Sequence, residues 1–280
     1  MLVDYNQRIE KARIAFSAAK HIVIGAGSGL STAAGLDYSG KRFHDNFKPF
    51  IEKYRFTDLY TSSFYPFKTQ EERWAYWAKH ISINRYETPA TKLYADLLAL
   101  VQTKGHFVIT TNVDGQFEKA NIDKNKLFEV QGNYAFLQCA VGCHDKLYYN
   151  ESLVREMLAN IDDCKIPSSL VPKCPKCGHE MDVNLRKDNY FVQDENWHRS
   201  ETNYNNFITS INTEPVVFLE LGVGYNTPGI IRYPFEGFVY RNPSATLIRI
   251  NKDNPEGVIE NQKSTIAFTE EIKVVLNDIK

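Results

Sequence analysis

One stretch, from His21 to Gly40, constrains the fold of this chain more than any other. It begins with His21–Ile24, an apolar run typical of a short buried strand in a parallel sheet. Every second residue from position 25 to position 29 is then glycine, and the lack of a Cβ atom lets the backbone turn tightly and approach a ligand. The alanine-rich segment Ser31–Leu36 predicts the first turn of a helix.

A strand, a glycine loop and a helix start in this order are typical of a pyrophosphate-binding site, because such a loop presents backbone N–H groups to the phosphates. The residues predicted to bind the ligand here are Gly25, Ala26, Gly27, Ser28, Gly29, Leu30 and Ser31. The alternative is a tight structural turn, since glycine motifs this short also occur without a ligand.

Three further apolar segments are each followed by a polar or glycine-rich loop. These segments are His106–Thr111, Val216–Leu221 and Thr246–Ile250. Strands that alternate with helices and end in such loops predict an α/β fold, a doubly wound parallel Rossmann-like sheet. In such sheets the ligand chemistry lies at the carboxyl ends of the strands.

The cysteines form two close pairs, Cys139 with Cys143 and Cys174 with Cys177. This spacing predicts four thiolate ligands to a tetrahedral zinc ion, which leaves no open coordination position and therefore indicates a structural metal. Free buried cysteines or a redox pair are the alternatives. Cys164 stands apart from both pairs.

The composition is that of an ordinary globular protein, with 43% hydrophobic and 24% charged residues among 280. The formal net charge of -1 argues against a nucleic-acid partner. Charged residues near the amino terminus argue against a signal peptide, and no apolar run reaches the length of a membrane span. We therefore expect a cytoplasmic protein, in which cysteines favour a metal or a reactive thiol over disulfides.

Aromatic residues are concentrated in the segment from Phe43 to Tyr86, which contains 13 of the 36 aromatic residues in the chain. This composition predicts a small helical subdomain whose rings pack on each other, and Thr69 with Glu72 forms a capping box at a helix start. The alternative is that some rings line a pocket for an apolar substrate arm.

In their order along the chain, these motifs resemble those of the sirtuin family. The segment Gly27–Ser31 is similar to the family's Gly-Ala-Gly-Ile-Ser loop, and Thr110–Gly115 is similar to its Thr-Gln-Asn-Ile-Asp-Gly strand end. Glu129–Gly132 is similar to Glu-Leu-His-Gly. Further counterparts are the paired cysteines, Leu185-Arg186, the Gly222 loop and the Asn251 strand end. The resemblance spans nearly the whole chain.

The resemblance implies an NAD-binding Rossmann domain with an inserted zinc module. We expect the first part of that domain at 1–132, with an aromatic-rich helical insert at about 41–87, the zinc module at 133–185 and the second part of the domain at 186–280. The resemblance places nicotinamide near Asn112 and Asp114, and adenosine near Gly222–Gly224 and Asn251-Lys252. The implied NAD contacts beyond the glycine loop are Thr111, Asn112, Val113, Asp114, Gln131, Gly222, Val223, Gly224, Asn251 and Lys252.

Two departures from the family pattern change the expected chemistry. Asp37–Gly40 replaces the usual Pro-Asp-Phe-Arg, and Gln131 stands where sirtuins carry a histidine base. In deacylation that histidine accepts a proton from a ribose hydroxyl, which a glutamine amide cannot do near neutral pH. Because losing a general base typically costs about 10²- to 10⁴-fold, we expect poor or no deacylase activity.

Release of nicotinamide does not need this base, so the residues favour protein ADP-ribosylation. Asn112 is predicted to hold the ribose hydroxyls or a water, and Asp114 to fix the nicotinamide amide. Gln131 is predicted to hydrogen-bond the ribose. Arg186 is the fourth predicted catalytic residue and would face the acceptor, although a surface salt bridge is an equal alternative.

The glutamine variant also resembles the macrodomain-linked, or class M, sirtuins of microbes. This resemblance implies mono-ADP-ribosylation of a lipoylated carrier protein similar to the glycine-cleavage H protein, reversed by a partner macrodomain hydrolase. The aromatic-rich segment would then belong to the carrier-binding surface. An NAD glycohydrolase, a lysine deacylase and a non-enzymatic NAD-sensing module remain alternatives.

Overall fold

The computed structural model describes residues 4–280, which form two compact units. The first, here called the six-strand unit, contains the described residues up to Ala34 together with Ala90–Gln131 and Asn196–Lys280. The second, the cysteine unit, contains Gly35–Pro89 and Gly132–Glu195. The domain limits expected from the sequence stay a prediction.

The six-strand unit is built on one parallel sheet with the strand order β3-β2-β1-β7-β8-β9. Its strands are β1 (His21–Ala26), β2 (Gly105–Thr110), β3 (Leu127–Glu129), β7 (Val216–Leu221), β8 (Ala245–Ile250) and β9 (Thr265–Phe268). The strand order reverses between β1 and β7, and open α/β sheets bind their ligands at such a switch point.

The strands next to the switch point end at the same level. Ala26 pairs with Thr110 of β2 and with Leu221 of β7, and Leu221 pairs with Ile250 of β8. The loops that follow these four strands therefore leave the sheet at one edge. This is the edge at which the sequence predicts the ligand.

Helices cover both faces of this sheet, which confirms the doubly wound fold. The helices are α1 (Tyr5–Ala18), α2 (Ser28–Ala33), α6 (Lys92–Val101), α7 (Gln116–Lys119), α9 (Glu195–Ser210), α10 (Arg232–Arg241) and α11 (Ile272–Ile279). One core contains Ile24 of β1 with Leu97 and Val275, and the other contains Val23 of β1 with Phe235. Helix α2 begins at Ser28, three residues before the start expected from the sequence.

The cysteine unit combines a small antiparallel sheet with helices. The sheet has the order β5-β4-β6, with β4 (Gly132–Cys139), β5 (Tyr148–Tyr149) and β6 (Met181–Leu185). The helices are α3 (Gly40–Tyr54), α4 (Leu59–Ser62), α5 (Gln70–Ile81) and α8 (Glu151–Ala159), and a π-helix follows α5 at Ser82–Tyr86. Among residues 4–280, the structure contains no helix that combines the length and the hydropathy of a transmembrane span.

The aromatic residues of this unit pack on each other, as the sequence predicts. Phe43 and Phe47 of α3 stack with ring centroids 5.5 Å apart, and Phe47 contacts Tyr76 of α5 at 5.6 Å. Thr69 caps α5 by accepting a hydrogen bond from the amide of Glu72. The helical subdomain is therefore confirmed, whereas the pocket for a substrate arm stays a prediction.

His80 lies at the centre of a buried hydrogen-bond chain in the cysteine unit. Tyr76 donates its hydroxyl proton to the carbonyl oxygen of Leu59 at 2.9 Å, so it accepts from Nδ1 of His80 at 3.0 Å. Nε2 of His80 then accepts from Tyr134 at 2.9 Å, and Tyr134 in turn accepts from Tyr38 at 3.0 Å. The chain holds a neutral imidazole, and burial lowers the pKa of His80 to about 3, with a smaller contribution from Arg42.

This histidine should make the protein less stable in mild acid. The unfolded chain binds a proton at His80 below its ordinary pKa of about 6.5, but the folded chain does not do so until about pH 3. The free energy of unfolding therefore falls as the pH drops below about 6.5, by about 2 kcal/mol at pH 5 for this group alone. Urea unfolding at pH 7 and pH 5 should show that the free energy of unfolding falls less between these pH values in His80→Gln than in the wild type. An equal fall in the two proteins would contradict a buried neutral His80.

Candidate functional site

The loop after β1 and the loop after β7 meet backbone to backbone at the switch point. A Cβ atom added to Gly27 would lie 2.7 Å from the carbonyl oxygen of Gly222, and one added to Gly222 would lie 2.5 Å from the Cα atom of Gly29. The amides of Gly27 and Gly29 donate to the carbonyl oxygens of Leu221 and Gly222, each at 3.0 Å. The glycines are needed because no side chain fits between the two loops.

This packing changes the interpretation of the glycine motif. From the sequence, the missing Cβ atoms were expected to let a ligand approach, with a structural turn as the alternative. The structure shows a structural role for Gly27 and Gly29, whose amides are used inside the protein. The ligand contacts of the loop stay a prediction, with Ser28 exposed and Ser31 buried at its end.

A buried chain of hydrogen bonds joins Asn112, Tyr94, Ser31 and Asp114. The side-chain amide of Asn112 donates to the Tyr94 hydroxyl at 3.2 Å, and the hydroxyls of Tyr94 and Ser31 lie 3.0 Å apart. Ser31 donates to the Asp114 carboxylate at 2.6 Å. Each of these side chains is less than a tenth exposed. The structure thus brings together three predicted site residues and adds Tyr94, which the sequence analysis missed.

The orientation of the Asn112 side chain follows from its partners. Its amide nitrogen donates to the carbonyl oxygen of Gly27 at 2.9 Å and to Tyr94, so both of its protons are used. Within residues 4–280, the amide oxygen of Asn112 accepts no hydrogen bond. Asn112 therefore offers its amide oxygen as a hydrogen-bond acceptor, and the two bonds of its amide nitrogen fix the orientation of the side chain.

The two loops predicted to bind adenosine are held by buried ion pairs. Glu220 of β7 accepts two hydrogen bonds from Arg249, its register partner on β8, at 2.8 and 2.9 Å. Arg232 lies 3.4 Å from the same carboxylate and donates to the carbonyl oxygen of Asn254 at 2.7 Å. Asn251 donates to the carbonyl oxygen of Val223 at 2.8 Å, which joins the two loops directly.

The remaining predicted residues differ in their exposure. Gln131 follows β3, is half-buried, and its side chain forms no hydrogen bond within the described chain. Arg186 is exposed and lies in the cysteine unit, directly after β6. Of the other predicted NAD contacts, Gly224 and Lys252 are exposed, Thr111, Val113, Gly222 and Asn251 are partly buried, and Gly25, Ala26, Leu30 and Val223 are buried.

The four paired cysteines lie together in the cysteine unit. Their sulfur atoms all lie within 4.8 Å of one another, with Cys139 and Cys177 at 3.6 Å and Cys143 and Cys174 at 3.7 Å. Cys164 is buried elsewhere and does not join them. The cluster can hold a metal ion, and its cysteines are those predicted from the sequence.

Comparison with curated proteins identifies the family. The chain is 36% identical over 277 residues to a protein ADP-ribosyltransferase of Staphylococcus aureus, covering 99% of this chain and 88% of that protein. The chain belongs to the family of this protein ADP-ribosyltransferase. It is also 32% identical over 260 residues to a probable bifunctional ADP-ribose hydrolase/ADP-ribosyltransferase of Fusarium oxysporum f. sp. cubense, covering 89% of this chain but only 43% of that longer protein.

Solved structures confirm the sirtuin fold of this transferase. Sir2Tm bound to a propionylated peptide matches with a TM-score of 0.60 and 16% identity, over 97% of this chain and 96% of that one. A Sir2 homologue mutant in complex with 2′-O-acetyl-ADP-ribose matches with a TM-score of 0.63 and 16% identity, over 96% and 94%. No family model matches the chain.

Two groups of buried residues in the transferase were missed by the sequence analysis. Tyr94 lies on α6, where the sequence shows an apolar helix, and only the fold brings its hydroxyl beside Ser31. Glu220 and Arg249 are single charges inside apolar strands, and that pattern is a signal, because an isolated charge in a buried strand needs a partner.

Replacing Gly222 should reveal the loop packing as a loss of stability. Gly222 has a φ of +60°, and its Cβ would lie 2.5 Å from the backbone of Gly29. Gly222→Ala should lower the free energy of unfolding by more than the 1–2 kcal/mol or so that left-handed backbone alone costs. Gly224→Ala is the matched control, because no atom lies within 4 Å of its added Cβ and the expected change is under about 0.5 kcal/mol. Equal urea midpoints for the two variants would contradict the packing argument.

Proposed function

We propose that this chain transfers a single ADP-ribosyl group from NAD to a lipoylated carrier protein similar to the glycine-cleavage H protein, with poor or no deacylase activity. The observation that carries the proposal is the buried hydrogen-bond chain that holds Asn112. This chain fixes the Asn112 side chain at the switch point, with its amide oxygen available as a hydrogen-bond acceptor. The family relationship to a protein ADP-ribosyltransferase supports the reaction class.

The six-strand unit fits NAD at the carboxyl ends of its strands. Asn251 and the Gly222–Gly224 loop would hold the adenosine end, since the Asn251 side chain donates to the carbonyl oxygen of Val223 and joins the two loops. Asn112 would hold the hydroxyls of the nicotinamide ribose or a water, and Asp114 would fix the nicotinamide amide. When bound, NAD supplies an ADP-ribosyl group with nicotinamide as the leaving group.

The chemistry of these side chains suits a transfer that needs no general base. The amide oxygen of Asn112 would accept a hydrogen bond from a ribose hydroxyl or from a water molecule. Asp114 is oriented by Ser31 and by the amide of Gln116, which donates to it at 3.0 Å, so that it can fix the nicotinamide amide. A carboxylate acceptor arrives ionised, and its oxygen bonds to the ribose carbon as the bond to nicotinamide breaks.

The residue at position 131 argues against efficient deacylation. Gln131 carries an amide, which donates and accepts hydrogen bonds but does not take up a proton near neutral pH. We assign it to a hydrogen bond with the ribose. The solved sirtuin structures with an acylated peptide or an acetylated product share only the fold with this chain.

Surface features and a relative support the proposed partners. Tyr60 and Phe64 are 53% and 61% exposed with ring centroids 5.3 Å apart, a surface suited to an apolar lipoyl arm. We assign exposed Arg186 to the acceptor. The name of the Fusarium protein joins an ADP-ribose hydrolase to an ADP-ribosyltransferase, which supports a macrodomain hydrolase as the functional partner. We propose a cytoplasmic location for the reaction.

Labelled NAD should test the reaction directly. With wild-type protein, label should appear on the lipoylated carrier and not on the unlipoylated one. Asn112→Ala should lower the transfer rate by at least about 100-fold, because the reacting ribose loses its positioning contact, and Gln131→Ala should weaken it severely. Asn206→Ala removes an exposed asparagine from α9 and serves as the matched control.

Other outcomes of this assay identify the alternatives. Absence of label on any carrier would contradict the transferase proposal. Nicotinamide release at full rate without a protein acceptor would indicate an NAD glycohydrolase, and an acyl-ADP-ribose product from an acyl-lysine peptide would indicate a deacylase. Saturable NAD binding without turnover would indicate a sensing module.

We also propose that the cysteine cluster binds structural zinc. Thiolates at the usual zinc–sulfur distance of about 2.3 Å lie about 3.8 Å apart in a tetrahedron. The two close sulfur pairs, at 3.6 and 3.7 Å, support this geometry. Because all four ligands are thiolates, the ion would stabilise the unit and would take no part in the transfer.

Removing one ligand should release the metal and unfold the cysteine unit. Purified protein should contain about one zinc ion per chain by elemental analysis, and Cys174→Ser should lose it, since structural zinc contributes about 10 kcal/mol to small modules. Cys164→Ser is the matched control, because Cys164 is buried outside the cluster and its loss should leave the zinc content unchanged. Equal zinc content in both variants would contradict the proposal.

A further inference from the structure

Tyr94 is held rigidly in the core of the six-strand unit. Its side chain has no exposed surface, and its ring packs edge-on against Phe117 with centroids 4.8 Å apart and an interplanar angle of 75°. The neighbouring residues Leu93 and Leu97 anchor α6 in the same core. The packing of the ring therefore holds the hydroxyl beside its hydrogen-bond partners.

The hydrogen bonds around this hydroxyl have one consistent direction. Ser31 has a single hydroxyl proton and donates it to Asp114, so Ser31 accepts from Tyr94. Tyr94 then offers its oxygen to the amide of Asn112 as an acceptor. The chain runs from amide to phenol to serine to carboxylate, and each proton polarises the next bond toward the negative charge.

We propose that Tyr94 is a positioning residue for the transfer reaction, because its hydroxyl couples the orientation of Asn112 to the carboxylate of Asp114. This inference rests on the proposed function. Without the hydroxyl, the Asn112 amide keeps one of its two fixing bonds, the one to Gly27, and can rotate. Its acceptor oxygen would then spend less time facing the reacting ribose.

The substitution Tyr94→Phe removes the oxygen and keeps the ring. We expect kcat for nicotinamide release, with NAD and the lipoylated carrier, to fall about 10-fold, the equivalent of one lost hydrogen bond of about 1.4 kcal/mol. The KM for NAD should stay within about threefold, because the adenosine end is held by other residues. The melting temperature should fall by no more than about 4 °C.

Tyr204→Phe is the matched control. Tyr204 is also a buried tyrosine of the six-strand unit, and its hydroxyl has no hydrogen-bond partner in the described residues. This variant should keep the wild-type kcat. A Tyr94→Phe protein with wild-type kcat would overturn the inference. A fall in kcat together with a raised KM and a large drop in melting temperature would also overturn it, because that combination indicates a merely structural role for Tyr94.

A second substitution tests the link itself. Ser31→Ala breaks the chain at its next bond, so the double variant with Tyr94→Phe should be no slower than the slower single variant. Losses that multiply would overturn the coupling. If Tyr94→Phe does not fold, Ser31→Ala alone must show the same fall in kcat or the inference fails. A wild-type protein that releases no nicotinamide overturns the proposed function itself, whereas an active wild type with unaffected variants overturns only the role of Tyr94.

Discussion

The close approach of two backbones at the switch point sets the geometry of the six-strand unit. Gly27 and Gly29 contact Gly222 with no room for a Cβ atom on any of them, and amide-to-carbonyl hydrogen bonds join the two loops. Because the strands on either side end in register, this contact fixes where each following loop begins. The carbonyl oxygen of Gly27 also accepts a hydrogen bond from the side-chain amide of Asn112, so the loop packing helps to position this predicted catalytic residue.

Buried hydrogen bonds orient the side chains of the candidate site. Asn112 has both amide protons bound and its oxygen free, and Asp114 is held by Ser31 and by a backbone amide. On the other side of the switch point, Glu220 with Arg249 supports the loops expected to bind adenosine. The proposed transfer depends on the positioning of the reactants, and the amide of Gln131 does not take up a proton near neutral pH.

The cysteine unit has a different basis for its stability. Its small three-strand sheet offers little core, and the packed aromatic residues of α3 and α5 add to that core. The four-cysteine cluster of the same unit can hold a metal ion. The segment Asp37–Gly40, which departs from the sirtuin pattern, contributes Tyr38 to the chain of hydroxyls around His80. The departure is thus built into the packing of this unit.

The fold class and the four paired cysteines could be predicted from the amino-acid sequence, because strand–loop–helix order and cysteine spacing are local patterns. The sequence also placed Ser31 at a helix start and Asn112 and Asp114 after a strand, at the edge where a parallel sheet gathers its ligand residues. Three contacts became visible only in the folded chain: the loop-on-loop packing of the glycines, the link from Asn112 through Tyr94 to Ser31, and the pairing of Glu220 with Arg249. These contacts join residues that are far apart in the chain. They arise because there is no room for a Cβ atom between the loops and because a buried polar group needs a partner, and both conditions exist only once the strands lie side by side.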